Sequence, residues 1–194
     1  MPNPGTELIA GELYIAYQHG WSTDEPTWAI LTNDEAKAAD LAARLGGRAR
    51  EVPARAGATE VLLGRNAVEA TLDAASAAVT RSGADQPGGS MRTCDQMVKA
   101  RAATGPRPDV SLLIRITGAE DLGMFRLTST SWDFAESVHA LAADADPVGH
   151  LARVMVRIHT RRLTTRSGVA VVLVHPQLAA LELLSENVRW SLAA

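Results

Sequence analysis

The residue types able to do acid–base or covalent chemistry are present in this chain, but spacing does not gather them. The five histidines, His19, His139, His150, His159 and His175, form no metal-ligand signature and read as structural or solvated side chains. Asp144 and Asp146 have the alternate-acid spacing of a cation loop without its remaining ligands, and a hydrated helix end explains them. No serine lies in a G-x-S-x-G elbow, so none is presented as an activated nucleophile. The acid pairs Asp24-Glu25 and Glu120-Asp121 fall in turns, where carboxylates simply hydrate. Gly88-Gly89 sits in a polar linker, and neither G-x-G-x-x-G nor a Walker lysine is present. These residues argue against an enzyme, with no catalytic group, no metal and no cofactor expected.

Two basic features and one apolar feature remain as candidate surfaces. His159-Thr160-Arg161-Arg162 with Arg166 places three guanidiniums at a hairpin tip, a shape able to touch a partner or phosphates. Lys99, Arg101 and Arg107 flank the Gly105-Pro106 break and are the candidate DNA-binding residues. Charged sheet edges also serve to prevent strand pairing, which is the plain alternative for both. A handful of phosphate contacts gives only weak direct binding, suited to an accessory contact on DNA that another protein holds. Val188 and Trp190, near the end of the chain, are the third candidate, since an exposed Trp is a good interface anchor.

Bulk composition bounds the class. The 194 residues are 46% hydrophobic and 21% charged with a net charge of −3. That composition is globular, and it excludes a protein that lives by bulk attraction to nucleic acid. Lys37 and Lys99 are the only lysines, so nearly all positive charge is arginine. Cys94 alone makes neither an intrachain disulfide nor a cysteine-based zinc site. The opening MPNPGTELIAGEL has no basic-then-apolar leader pattern, and no stretch reaches the roughly 18 apolar residues of a membrane span. A soluble, cytoplasmic protein is expected.

The periodicities predict strands over Glu7–Gln18, Thr27–Thr32, Arg48–Val52, Thr59–Leu63 and Asn66–Asp73. A helix over Asp34–Leu45 is expected to carry Ala38, Leu41, Ala42 and Leu45 inward and to stop at Gly46-Gly47. Ser82–Ser90 reads as a linker, followed by a short helix over Thr93–Ala102. Further strands are expected at Asp109–Thr117 and Gly123–Ser129, then a helix from Trp132 to Ala142 behind Ser131. Arg153–Arg162 and Gly168–Val174 follow as a hairpin. Pro176 suits the first turn of a terminal helix bearing Leu178, Leu181, Leu184 and Val188. Thr27–Leu45 aligns without gaps on Gly123–Leu141, each a strand, a polar cap and an amphipathic helix. The expected fold class is α+β, with two related strand-helix-strand halves, each with an antiparallel sheet, plus a C-terminal helix. The corresponding boundaries are an N-terminal lobe over 1–81, a linker with a short helix over 82–108, and a C-terminal lobe over 109–194.

From Cys94 to about Val174 the chain resembles the recombination directionality factors of actinobacterial phages and prophages. The resemblance rests on RAATGPRPDVSLLIRI, GAEDLGMFRLTSTSWDF, RVMVRIHTRR and SGVAVVLVHP, and TWAILTNDE is similar to the family's first strand-helix unit. Many relatives carry several cysteines between the halves; this chain has Cys94-Asp95 only, so no zinc site is carried over. The resemblance implies a non-enzymatic partner of a large serine integrase on attachment-site DNA. Such a partner switches the integrase from integration to excision, favouring attL with attR. Interface roles are then expected for Val188, Trp190, Arg161, Arg162 and Arg166, with Lys99, Arg101 and Arg107 toward DNA. A phage DNA-metabolism protein that binds DNA directly, and a small hydrolase, are the other function classes.

Overall fold

Alternating residues at the start of the chain become β1 (Ile9–Tyr17) and β2 (Pro26–Thr32), paired antiparallel, in a computed structural model that describes residues 9–17, 25–53, 55–73, 78–82, 107–144 and 151–184. Leu13 faces the main core, while Tyr14 lies on the opposite face against Ala16, Ala29 and Leu62. The helix α1 (Glu35–Leu45) begins where the Asp34 carboxylate accepts the Lys37 amide at 3.0 Å. It ends at Gly46, whose φ of 68° lets the Gly47 amide reach back to the Ala42 carbonyl at 2.9 Å. Ala38, Leu41 and Leu45 are its buried stripe, as the 3.6-residue period requires. A hairpin of β3 (Arg48–Glu51) and β4 (Thr59–Leu62) follows, with β4 between β2 and β3.

β5 (Ala67–Asp73) continues β4 around a corner at Leu63–Asn66, where Gly64 takes a φ of 62°. The corner stays bonded on both sides. Leu63 donates to the Trp28 carbonyl at 2.9 Å, Trp28 donates to Arg65 at 3.0 Å, and Ile158 donates to Asn66 at 2.7 Å. The inward face changes from odd positions (Val61, Leu63) to even ones (Val68, Ala70, Leu72), the signature of a slip in register at a bend. β6 (Ala78–Ser82) and β7 (Arg107–Ile116) pair antiparallel, and β7 also pairs with β5 and with β8 (Met124–Ser129). β8 lies beside β1.

These pairings close a ring of five: β1, β2, the β4–β5 run, β7 and β8. Four of its seams are antiparallel. An odd number of up-and-down strands cannot close that way throughout, so the last seam, β1 with β8, is parallel. This corrects the expected fold class. The two halves do not each build an antiparallel sheet; they share one mixed sheet that is richer in strand than an ordinary α+β pair of lobes. Both halves do run strand, strand, helix, strand, strand. Yet the hairpin after α1 docks through β4 on β2, whereas the second docks through β9 on β5.

The second helix, α2 (Trp132–Asp144), starts with the Phe134 amide 3.5 Å from Ser131 Oγ and buries Phe134, Ala135, Val138 and Leu141. It packs on β7 and β10, while α1 packs on β2, β3 and β4. β9 (Leu151–Thr164) and β10 (Ala170–Leu184) form the last hairpin. The expected terminal helix is therefore corrected as well: Pro176, Leu178, Leu181 and Leu184 are strand residues. The free edge of β9 supplies a ladder partner at every residue of β10 but Leu181, which bulges out, and this outweighs the helix preference of LAALELL. Proline is tolerated because the neighbouring amide of the same parity, that of Leu178, points away from the ladder to Ser137 Oγ at 3.3 Å. The missing N–H of Pro176 thus lies on the outer edge. Among the described residues no helix is long and apolar enough to cross a membrane.

Candidate functional site

β5 holds β9 only as far as Arg157, and the Asn66 carbonyl adds one bond to Ile158. Past that point β9 and β10 bond only to each other, from His159 opposite His175 to Thr164 opposite Ala170. Every residue from His159 to Ala170 is exposed. At about 3.3 Å per residue the free part extends for about 20 Å. It is an arm, and it carries the three arginines that the sequence singled out.

The arm is built by its turn. Thr165 accepts the Gly168 amide at 2.9 Å through its carbonyl, donates its own amide to Val169 at 2.9 Å, and its Oγ1 accepts the Val169 amide at 3.0 Å. Gly168 takes a φ of 81° to complete it. Two faces follow from the register. Arg157, His159, Arg161 and Leu163 share one face with Val171, Leu173 and His175; Thr160, Arg162 and Thr164 share the other with Ala170, Val172 and Val174. Arg166 stands at the tip. Leu163, Val169, Val172 and Leu173 are large apolar side chains left in solvent, Val169 at 57% exposure.

The root of the arm is pinned by a polar cluster. His175 is buried, with its Nε2 3.3 Å from His159 Nδ1 and 3.3 Å from an Asp133 oxygen at the start of α2. The two imidazoles meet edge to face with centroids 5.0 Å apart. Burial pushes the His175 imidazole below its ordinary value; Asp133 pulls it up, and His159 and Arg161 push it down further. Beside this root, a cleft of about 370 Å³ separates Val174 and Pro176 from Tyr14 and the end of β8.

A second polar cluster lies on the barrel wall. Buried Glu60 accepts the Tyr14 hydroxyl and the Arg50 guanidinium, and burial together with that carboxylate raises the Tyr14 phenol well above its usual value. Its groups satisfy one another, so it is a cross-strand lock rather than a reactive centre. Among the described residues no three His, Cys, Asp or Glu side chains converge to hold a metal.

Of the sequence candidates, Arg161, Arg162 and Arg166 come together on the arm. Arg107 opens β7 opposite Ser82. Lys99, Arg101, Val188 and Trp190 lie outside the described residues, as do Cys94 and the Thr93–Ala102 segment. The segment leading to Val188 and Trp190 is strand through Leu184, not helix. Sequence reasoning missed the His159–His175 pair by weighing each histidine alone. The available signal was symmetry: both are equally far from Ser167, so a hairpin centred there must place them opposite each other.

Fold and site together define a class: a five-stranded closed barrel with a mixed seam, from which an arginine-bearing two-stranded arm projects. No protein-family model, curated protein or solved structure matches this chain.

Proposed function

We propose that this chain is a non-enzymatic recombination directionality factor of the bacterial cytoplasm. In this reading it binds a large serine integrase on attachment-site DNA and biases it toward attL with attR. The observation that carries the reading is the arm. It sets Leu163, Val169, Val172 and Leu173 in solvent beside Arg161, Arg162 and Arg166, a combination with no use inside the barrel and good use at an interface. The resemblance over Cys94–Val174 supplies the identity of the partner, and it includes both strands of the arm.

The mechanism needs no bond-making by this chain. An integrase synapse has two arrangements of its subunits and DNA. A factor that binds the excisive arrangement more tightly by about 3–5 kcal/mol converts a minor outcome into the main one. The barrel fixes where the arm leaves, and the ladder holds its two strands in register, so little ordering cost is incurred on contact.

The test combines the purified full chain with its cognate integrase and attachment-site substrates. Co-purification and a rise in attL × attR product, with a fall in attP × attB product, are expected. An integrase that neither captures the chain nor changes its product ratio overturns the proposal.

A further inference from the structure

We infer that the β9–β10 arm is a ribbon for duplex DNA, which lays its arginines against phosphates on both walls of a groove. This deepens the reading above by naming what the arm touches, and rests on it only in taking the arm as the working surface.

Charge is the first argument. From Pro147 to Leu181 the chain has five arginines and no aspartate or glutamate, although its net charge is −3. Arg153 is occupied by Glu69 at 2.6 Å and Glu182 at 3.6 Å. Among the described residues no carboxylate reaches Arg157, Arg161, Arg162 or Arg166, and all four are exposed. A positive ribbon held away from the acidic remainder of the molecule matches a polyanion.

Shape is the second. Strands in a ladder lie about 5 Å apart, and the B-DNA major groove, about 12 Å wide, admits such a two-stranded ribbon with its side chains. Arg161 points from one face, Arg162 from the other, and Arg166 from the tip. Guanidiniums on opposite faces reach opposite walls, which a single-faced protein contact would not need. Threonines 160, 164 and 165 add neutral hydroxyls of the kind that bond phosphate oxygens. Each face also carries apolar side chains beside its arginine, Leu163 and Leu173 with Arg161 and Val172 with Arg162, so neither face is a purely apolar seam.

The experiment measures fluorescence anisotropy of the full chain with a labelled duplex of about two helical turns. Each phosphate neutralised contributes about −0.9 to the slope of log K against log salt. Three arginines therefore give a slope near −3, and affinity falls about forty-fold between about 50 and about 200 mM salt. The triple variant Arg161→Ala, Arg162→Ala, Arg166→Ala loses that slope at an unchanged unfolding midpoint, and the triple Arg→Lys variant keeps it. Duplex binding whose slope survives the alanine variant, equal binding to single strands, or no salt-dependent binding overturns the inference. So does an alanine variant that loses capture by integrase in the absence of DNA, which would make the arm a protein contact and leave the directionality reading standing.

Discussion

Glu60 shows what a single buried carboxylate does in this barrel. It joins β4 to β1 through the Tyr14 hydroxyl and to β3 through Arg50, all inside one sheet face. Glu60→Ala leaves the half-buried phenol without its acceptor and should destabilise by about 1–3 kcal/mol, against about 1 kcal/mol for Tyr14→Phe, read from urea midpoints. His175 sets a pH dependence in which burial outweighs the pull of Asp133. Its folded value lies below the ordinary 6.5, so the unfolded chain takes up the proton first as pH falls. Stability is complete above about 6.5 and declines below it; His175→Gln should lose less stability than the parent between about pH 7 and pH 5 in chemical denaturation. At this scale the arm arginines were legible, because a basic run beside a turn is a local signal. The Tyr14–Glu60–Arg50 lock was not, because its members are brought together only by the register of four strands, β1, β2, β4 and β3.

The corner between β4 and β5 and the edge of β10 are where elements meet their limits. Nothing lies within 4 Å of a Cβ added at Gly64, so Gly64→Ala tests its φ of 62° alone. The variant should cost about 1–2 kcal/mol, with Gly64→Asn costing less, measured by thermal unfolding. Ser137→Ala removes the acceptor that Leu178 N–H finds on α2, and amide exchange at Leu178 should quicken with a loss of about 1 kcal/mol in stability. Elements with their own punctuation were readable from the chain: α1 between Asp34 and Gly46, the β3–β4 hairpin, and β5 from its alternation. β10 was not, because LAALELL suits a helix and only the long-range ladder with β9 makes it a strand. The proline that argued for a helix start fits an outer edge equally well.

Across the whole molecule, barrel and arm divide the work. Replacing residues 162–172 with a two-residue Asn-Gly turn, which keeps Arg161 opposite Leu173, should leave the unfolding midpoint nearly unchanged, because those residues touch no part of the core, while abolishing the excision bias in a recombination assay. An unfolding midpoint that collapses with the arm would show the ribbon to be structural. The ring itself was invisible in the sequence. Local periodicity tells which residues form strands but not that β5 continues β4, nor that five strands meet head to tail.

The parallel seam also dictates an order of events. Ile9 finds its partner Met124 about 115 residues further along, so the leading strand leaves the ribosome with one side of its backbone unsatisfied. It must wait for most of the chain to be synthesised before the cylinder can shut. Through that interval the bare edge is open to other nascent chains, which makes slow, concentration-sensitive maturation a cost built into this architecture.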